Sequence, residues 1–404
     1  MAAQSKISRR MSQSAIIQTI ANYGPISRAS VSKMTGLSKQ TVSEIVANLE
    51  EDGWVRTVGQ TAGHIGRRAV VYEISPTAAT IASVDLGGTK LRVALCDLTG
   101  GVISELVEPT EKTGGRAVLH QIARMVRSIA TTEGTSYHDL HVAVVGVPGV
   151  PDPKTGAIKL APNISGIDQF DLASELQAAL GVEVFVENDV NLAAIGEHWM
   201  GHRGENDNLA YVSVGTGIGA GLVLGGSLLR GSFGAAGEIG FLPFGADPFE
   251  AESLKIGALE RKAATDAIIE GYLIRTGEQK TVPEVFEAAA AADQNARDIL
   301  DDISKQIARA VVSIVAVIDP STVVIGGSIG ARDELLARII HHARLCYPRP
   351  IKIEQSQLGN HAALAGGAAI ALSHLHVSLF AEGQKGVVIS VPAPTIEVFK
   401  AQIS

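Results

Sequence analysis

Two stretches of the chain each read as an apolar strand, a glycine turn and a second apolar strand, and nothing else in the sequence restricts the fold as much. The first runs Ile81-Ala82-Ser83-Val84-Asp85-Leu86-Gly87-Gly88-Thr89-Lys90 into Leu91-Arg92-Val93-Ala94-Leu95. The second runs Tyr211-Val212-Ser213-Val214-Gly215-Thr216-Gly217-Ile218-Gly219-Ala220-Gly221 into Leu222-Val223-Leu224. Glycine at such a turn removes the side chain that would keep a phosphate away from backbone N–H groups. The run GTGIGAG invites comparison with a dinucleotide fingerprint, but that fingerprint opens a helix after its strand. Here a strand follows, so a phosphate-binding hairpin is expected instead. Two such hairpins predict an α/β protein of two lobes with ATP in the cleft.

Other strands also end in polar or glycine turns. Val142 to Val145 runs into Gly146-Val147-Pro148-Gly149-Val150, with Ala161-Pro162-Asn163 soon after. Val184-Phe185-Val186-Glu187-Asn188-Asp189-Val190-Asn191 reads as a strand ending in polar residues at the mouth of a helix, Leu192 to Met200. Thr322 to Ile325 ends in Gly326-Gly327-Ser328-Ile329, and Ile303 to Ile318 is an apolar helix expected to pack beneath that turn. Thr281-Val282-Pro283-Glu284 opens an alanine-rich helix with proline at an early position. His341 and His342 are expected on a helix surface, and the tail holds a strand-like run, Gly386 to Val391. A hydrophobic fraction of 46% with 4% aromatic residues and 43 glycines suits an α/β protein with tightly packed turns. The 404 residues allow two to three domains. Their expected limits are 1–78, 79–200 and 201–404.

The first of these is expected to be a winged helix-turn-helix. Ile16, Ile17 and Ile20 share one helical stripe that ends at Gly24-Pro25. Ser27 then caps a short helix, Gly36 makes the turn, and Ser38 caps a helix with Val42, Ile45, Val46 and Leu49 inward. Trp54 to Val58 and Val70 to Ile74 read as paired strands around a glycine-rich basic tip. Ser38, Lys39, Gln40, Thr41 and Ser43 are placed to meet the major groove of DNA, and Arg67 and Arg68 the phosphates or the minor groove. Charge agrees: residues 1–78 hold nine Lys/Arg and five Asp/Glu, hence +4, which leaves −12 on the rest of a chain of net charge −8.

The two cysteines, Cys96 and Cys346, form neither a disulfide framework nor a cysteine-rich zinc site and are expected as reduced structural thiols. No signal-peptide run is evident, and no stretch of about 18 apolar residues is expected to cross a membrane. A cytoplasmic location without membrane attachment follows as an expectation.

The ordered set DLGGTK, VPGV, PN, ENDVN, GTGIGAG, GAAGEIG and VVIGGS resembles the ROK family of sugar kinases and sugar-responsive repressors, over nearly the whole chain. A winged helix ahead of the body is similar to the repressor branch. The resemblance implies an actin-like sugar kinase fold of two α/β lobes. It implies that Asn163, Asn188, Asp189, Glu238 and Glu260 bind sugar hydroxyls, with Asp189 the catalytic base if a kinase reaction survives. A carboxylate beside a sugar hydroxyl can take its proton as the oxygen attacks the γ-phosphorus. Asp85, Gly87, Gly88, Thr89, Lys90, Gly215, Thr216, Gly217, Gly326 and Gly327 would hold ATP, with Asp85 serving Mg²⁺ or its water shell.

One loop departs from the family. Where the pattern has GEIGH and then zinc-binding cysteines, this chain has Gly237-Glu238-Ile239-Gly240-Phe241, then Gly257-Ala258-Leu259-Glu260, with no His or Cys between Glu238 and Glu260. No zinc is expected there, because a structural zinc needs Cys and His ligands. Phe241, Leu242, Phe244 and Phe249 are expected to hold the loop by packing, at about 1.5–3 kcal/mol each, well below the ~10–16 kcal/mol of a structural zinc. Loss of the His also suggests a ligand other than glucose.

The leading reading is a transcription regulator, a repressor of carbohydrate-use genes. A sugar or sugar-phosphate effector would alter the spacing of two winged helices in a homodimer or homotetramer on a DNA operator. ATP and Mg²⁺ are needed only under the alternative, an ATP-dependent sugar kinase that also binds DNA. A sensor answering to a protein partner is the third possibility.

Overall fold

The computed structural model describes residues 2–60, 69–131, 136, 139–152, 155–159, 164–201, 208–380, 392–396 and 399. Contacts divide the chain into two units that do not follow chain order. Unit 1 comprises Met1–Val147, Ala161–Val186 and Gly367–Ser404; unit 2 comprises Pro148–Leu160 and Glu187–Gly366. These units cut the chain elsewhere than the consecutive limits of 1–78, 79–200 and 201–404.

Unit 1 opens with α1 (Ala2–Tyr23), which starts earlier than the stripe of Ile16, Ile17 and Ile20 suggested, though those three side chains are buried. After β1 (Ile26–Ser27) come α2 (Arg28–Thr35) and α3 (Lys39–Glu51). Ser27 accepts the Ser30 N–H at the start of α2, and Ser38 accepts the Thr41 N–H at the start of α3. These caps satisfy N–H groups that have no partner inside a helix. Between the helices Gly36 takes φ 72° and donates its N–H to Ser32 O. Glycine populates this left-handed conformation without a Cβ penalty. The strands β2 (Val55–Gln60) and β3 (Val70–Ile74) pair antiparallel, with β1 on the other edge of β3.

The rest of unit 1 is a five-stranded sheet. Its strands are β4 (Thr80–Leu86), β5 (Lys90–Asp97) and β6 (Val102–Pro109), then β7 (Leu140–Val147) beyond α4 (Gly115–Ala130). One face of α4 buries Val118, Leu119, Ile122, Met125, Val126 and Ile129, the spacing expected of a helix laid on a sheet. Beyond the short pair β8 (Val150–Pro151) and β9 (Ile158–Lys159) of unit 2, α5 (Leu172–Leu180) leads to β10 (Glu183–Asn188). The sheet order is β10-β7-β4-β5-β6, with β4–β5 and β5–β6 antiparallel and β4–β7 parallel.

Unit 2 repeats that plan. After α6 (Asp189–Gly201) come β11 (Leu209–Val214), β12 (Ile218–Leu224) and β13 (Ser227–Leu228). A helical segment follows: α7 (Ala251–Ile256), α8 (Glu260–Ala263), α9 (Thr265–Thr276), α10 (Val282–Ala290) and α11 (Gln294–Ile318). Then come β14 (Thr322–Gly326), α12 (Asp333–Cys346), β15 (Ile353–Gln355) and α13 (Ala362–Phe380), which runs on into unit 1. The order β13-β12-β11-β14-β15 again places two antiparallel pairings on one side and parallel ones on the other. The strand–turn–strand stretches at 81–95 and 211–224 are therefore hairpins in equivalent places of two sheets. The core of unit 2 gathers on α11, whose Ile299, Leu300, Ile303, Ile307, Val311 and Ile314 are buried. At the start of α10, Thr281 and Glu284 form a capping box.

Three expectations need correction. The segment Gly359–Leu379 is long and apolar enough to cross a membrane by length and composition, although 61% of its apolar window is buried inside the protein. Its Ala and Gly residues let it pack closely: a Cβ on Gly366 would lie 1.8 Å from Leu192 O, and one on Gly367 2.1 Å from Ser83 Oγ. His342 is not a plain surface residue, since its Nε2 lies 2.7 Å from Asp301 Oδ1; His341 is exposed. Both cysteines are free thiols, but only Cys96 is buried, and Cys346 is exposed. The strand-like run 386–391 lies outside the described residues.

Candidate functional site

The hairpin β11–β12 turns through Gly215-Thr216-Gly217, closed by the Gly215 N–H on Gly217 O at 2.9 Å. Thr265, the first residue of α9, donates both its N–H and its hydroxyl to Gly215 O at 3.0 Å. Gly217 is small because a carboxylate occupies the space beside it. A Cβ there would meet Glu260 Oε2 at 2.7 Å. Glu260 opens α8, and the same oxygen accepts the Ile218 N–H at 2.9 Å. The acid expected at the sugar and the turn expected at the phosphate are thus physically joined.

Glu238 precedes a single 3-10 turn, Ile239–Phe241, and Gly237 before it takes φ 96°. Burial pushes the Glu238 carboxyl above the usual carboxylate range. Burial also raises Glu260; the Ile218 N–H pulls it back, and the negative charges of Glu238 and Asp266 add to the rise. Carboxyl oxygens accept hydrogen bonds, which suits sugar hydroxyls as donors.

The polar end of β10 is the other part of unit 2's site. Asn188 Oδ1 accepts the Asn191 N–H at 2.9 Å, which caps α6, while Asn188 Nδ2 donates to Gly149 O at 3.0 Å. Both ends of that side chain serve the fold. Asp189 begins α6, and its Oδ1 accepts the Val190 N–H at 2.9 Å. Glu187, which sequence reasoning passed over, takes the Asn191 amide on one oxygen at 3.0 Å and Arg230 Nε on the other at 2.6 Å. Glu197, deeper in α6 and fully buried, accepts from Ser356 Oγ and the Gln357 and Leu358 N–H groups.

The Gly326-Gly327 turn ends β14. A Cβ on Gly326 would lie 2.0 Å from the Tyr211 hydroxyl oxygen, so that glycine makes room for a neighbouring strand's side chain. In unit 1, the Gly87-Gly88-Thr89 turn closes by the Gly87 N–H on Lys90 O at 3.0 Å, with Lys90 exposed. Thr110 braces it, donating its hydroxyl to Gly87 O at 2.7 Å and its N–H to Thr89 O at 3.1 Å. Asp85 faces Arg92 across the hairpin at 3.4 Å. Counting outward from the turn could have found Arg92, because the register pairs Asp85 with Arg92.

The loop without zinc ligands is held differently from the expectation. Leu242 and Phe244 pack on the core of unit 2, but Phe241 is 39% exposed and Phe249 90% exposed. Backbone bonds take over the work of those two rings: Leu259 N–H to Gly240 O at 3.0 Å, and Ala246 N–H to Ala258 O at 3.1 Å. The donors of this loop do not fit zinc, since nothing between Glu238 and Glu260 is His or Cys.

On the DNA-facing module, Ser38, Lys39 and Gln40 are exposed, and Thr41 and Ser43 half-buried. Ser38 and Thr41 share a hydroxyl contact at 2.8 Å, and Ser43 accepts Arg28 Nη1 at 3.2 Å, so Lys39 and Gln40 carry the outward chemistry of this helix start. Arg67, Arg68 and Asn163 lie outside the described residues.

A winged helix ahead of two sheets of one plan, each with a glycine hairpin, defines a DNA-binding module on a sugar-kinase-like body. The comparisons agree. The model of the ROK family matches residues 81–374, and that of a winged helix-turn-helix DNA-binding domain matches residues 12–56. The chain belongs to the ROK family. It is 27% identical over 385 residues to a xylose repressor of Caldicellulosiruptor bescii, covering 89% of this chain and 95% of that one. A ROK hexokinase from Thermus thermophilus superposes with TM-score 0.64 at 29% identity, over 74% of this chain and 99% of that one. A ROK family transcriptional regulator described as a homolog of the E. coli MLC protein superposes with TM-score 0.75 over 92% of this chain and 98% of that one; at 24% identity it speaks for the fold alone.

Proposed function

We propose that the protein is a transcriptional repressor of carbohydrate-use genes, acting in the cytoplasm and released from its operator by a sugar or sugar phosphate. The observation that carries this reading is the exposed start of α3, with Lys39 and Gln40 outward on a module of net charge +4, on the same chain as the Glu238–Glu260 pair. The xylose repressor among the relatives supports a sugar effector. Glu238, Glu260 and Asp189, with Asn163 and Asn188, form the proposed sugar set, and residues 1–78 the proposed DNA-binding domain. In a homodimer two such helices would meet half-sites about 34–36 Å apart. The effector shifts that fit only by its differential affinity for the two arrangements, about 1–3 kcal/mol for coupled sites. Sequencing the DNA recovered with the purified protein, then measuring its release by a sugar panel, tests the reading; indifference to every recovered fragment overturns it.

A second reading, an ATP-dependent sugar kinase that also binds DNA, draws support from Asp189 at the mouth of α6 and from both glycine hairpins. An ADP-release assay over many sugars, with Asp189→Ala as control, separates the two.

A further inference from the structure

Phosphate-binding hairpins in ATP-dependent enzymes work with a divalent cation, and Asp85 is the residue of this chain that would serve it. In the sheet of unit 1, Asp85 stands opposite Arg92 on one side and beside Gly146 on the other. Arg92 Nη1 is 3.4 Å from Asp85 Oδ2, and the two side chains keep only 18% and 14% of their exposure. Strand register, rather than a wandering surface side chain, delivers this guanidinium. A Mg²⁺ ion needs oxygen ligands at about 2.0–2.1 Å in near-octahedral order. Guanidinium has no lone pair to offer and is never deprotonated in proteins. Its fixed charge also repels a second cation, and screening is weak in a largely buried site. Next to it, the turn braced by Thr110 exposes Gly88, Thr89 and Lys90, with no side chain at Gly88 to keep a phosphate off the backbone.

We infer that Arg92 holds the place of the divalent cation at Asp85, so that the Gly87–Lys90 turn takes a phosphate group without metal. Arg92 is then a specificity residue that selects a metal-free phosphate over a Mg²⁺-nucleotide. The inference concerns unit 1 alone and stands or falls separately from the repressor reading.

Calorimetric titration of ADP into the full-length protein tests it, with EDTA in one series and Mg²⁺ in the other. Wild type is expected to bind ADP with affinities within about twofold in the two series. Arg92→Ala is expected to bind at least about tenfold more tightly with Mg²⁺ than without, and Arg92→Lys, which keeps the charge, to follow wild type. Paramagnetic resonance of Mn²⁺ gives a readout without nucleotide: Arg92→Ala takes up Mn²⁺ that wild type leaves in solution. Three results overturn the inference: tenfold tightening of wild type by Mg²⁺, failure of wild type to bind ADP in EDTA, or a well-folded Arg92→Ala that ignores metal. Should Arg92→Ala not fold, uptake of Mn²⁺ by wild type overturns it and metal-independent ADP binding by both wild type and Arg92→Lys sustains it.

Discussion

Glu260 Oε2 accepts the Ile218 N–H at 2.9 Å and fills the space in which a side chain on Gly217 would begin. A methyl group at Gly217 would start 2.7 Å from that oxygen, so the carboxylate must move or the turn must open. Gly217→Ala is therefore expected to weaken binding of the best sugar in a panel by tenfold or more, about 1.4 kcal/mol, while circular dichroism stays unchanged. Calorimetry on the variant checks it.

The acid pair also sets a pH dependence. Burial raises the Glu238 carboxyl, so the folded state resists its ionisation. Below the unfolded value, about 4.3, the group is protonated in both states and costs nothing. As pH rises past that value, the unfolded chain gives up its proton more readily, and stability falls. Glu238→Gln removes the liability. Its melting temperature is expected to exceed that of wild type at pH 8 and to match it near pH 4, while sugar binding weakens. Thermal melts across that range decide.

The loop between the two acids separates packing from exposure. Phe244 packs against the core of unit 2, whereas Phe249 is 90% exposed. Phe244→Ala is expected to cost up to about 3 kcal/mol, the lower end of fully buried phenylalanine truncations. Phe249→Ala should stay within about 0.5 kcal/mol of wild type. Urea unfolding of the two variants measures both.

The hairpins, the helix caps at Ser27 and Ser38 and the left-handed turn at Gly36 were legible in the sequence because each depends on neighbours a few residues away. The repeated sheet order was not, since it is carried by pairing such as Tyr211 with Val324, far apart in the chain. The same limit hid the partners of the acids. Glu187 with Arg230 and Glu197 with Ser356 are separated by 43 and 159 residues. Phe241 and Phe249 were misplaced for a related reason: apolar character says that burial is favourable, not which backbone bonds already fix the loop. Glycine was ambiguous too, because open space for a phosphate and room for Glu260 ask for the same residue.

Lys39 and Gln40 divide the DNA chemistry between them. A lysine at a phosphate releases counterions, so Lys39→Ala is expected to weaken binding across all sequences and reduce the slope of log K against log salt by about 0.9. Gln40 carries an amide that can read adenine edges, and Gln40→Ala is expected to cost about 1–3 kcal/mol at one base position while relaxing the preference there. Binding to recovered fragments at several salt concentrations distinguishes the two.

Gly326 tests whether the late glycine turn is there for a ligand or for the sheet. A Cβ at this position would lie 2.0 Å from the Tyr211 hydroxyl oxygen and 2.5 and 2.8 Å from two ring carbons. Overpacking of this kind costs about 1–3 kcal/mol, so Gly326→Ala should unfold at lower urea with an unchanged slope. Tyr211→Phe should recover little of that loss, because the ring carbons remain in the way. Tyr211→Leu, which removes the ring, should couple to Gly326→Ala by at least about 0.5 kcal/mol in a double-mutant cycle. If Gly326→Ala instead melts like wild type and loses ADP binding, the glycine belongs to the approach of a phosphate and Tyr211 merely lies beside it.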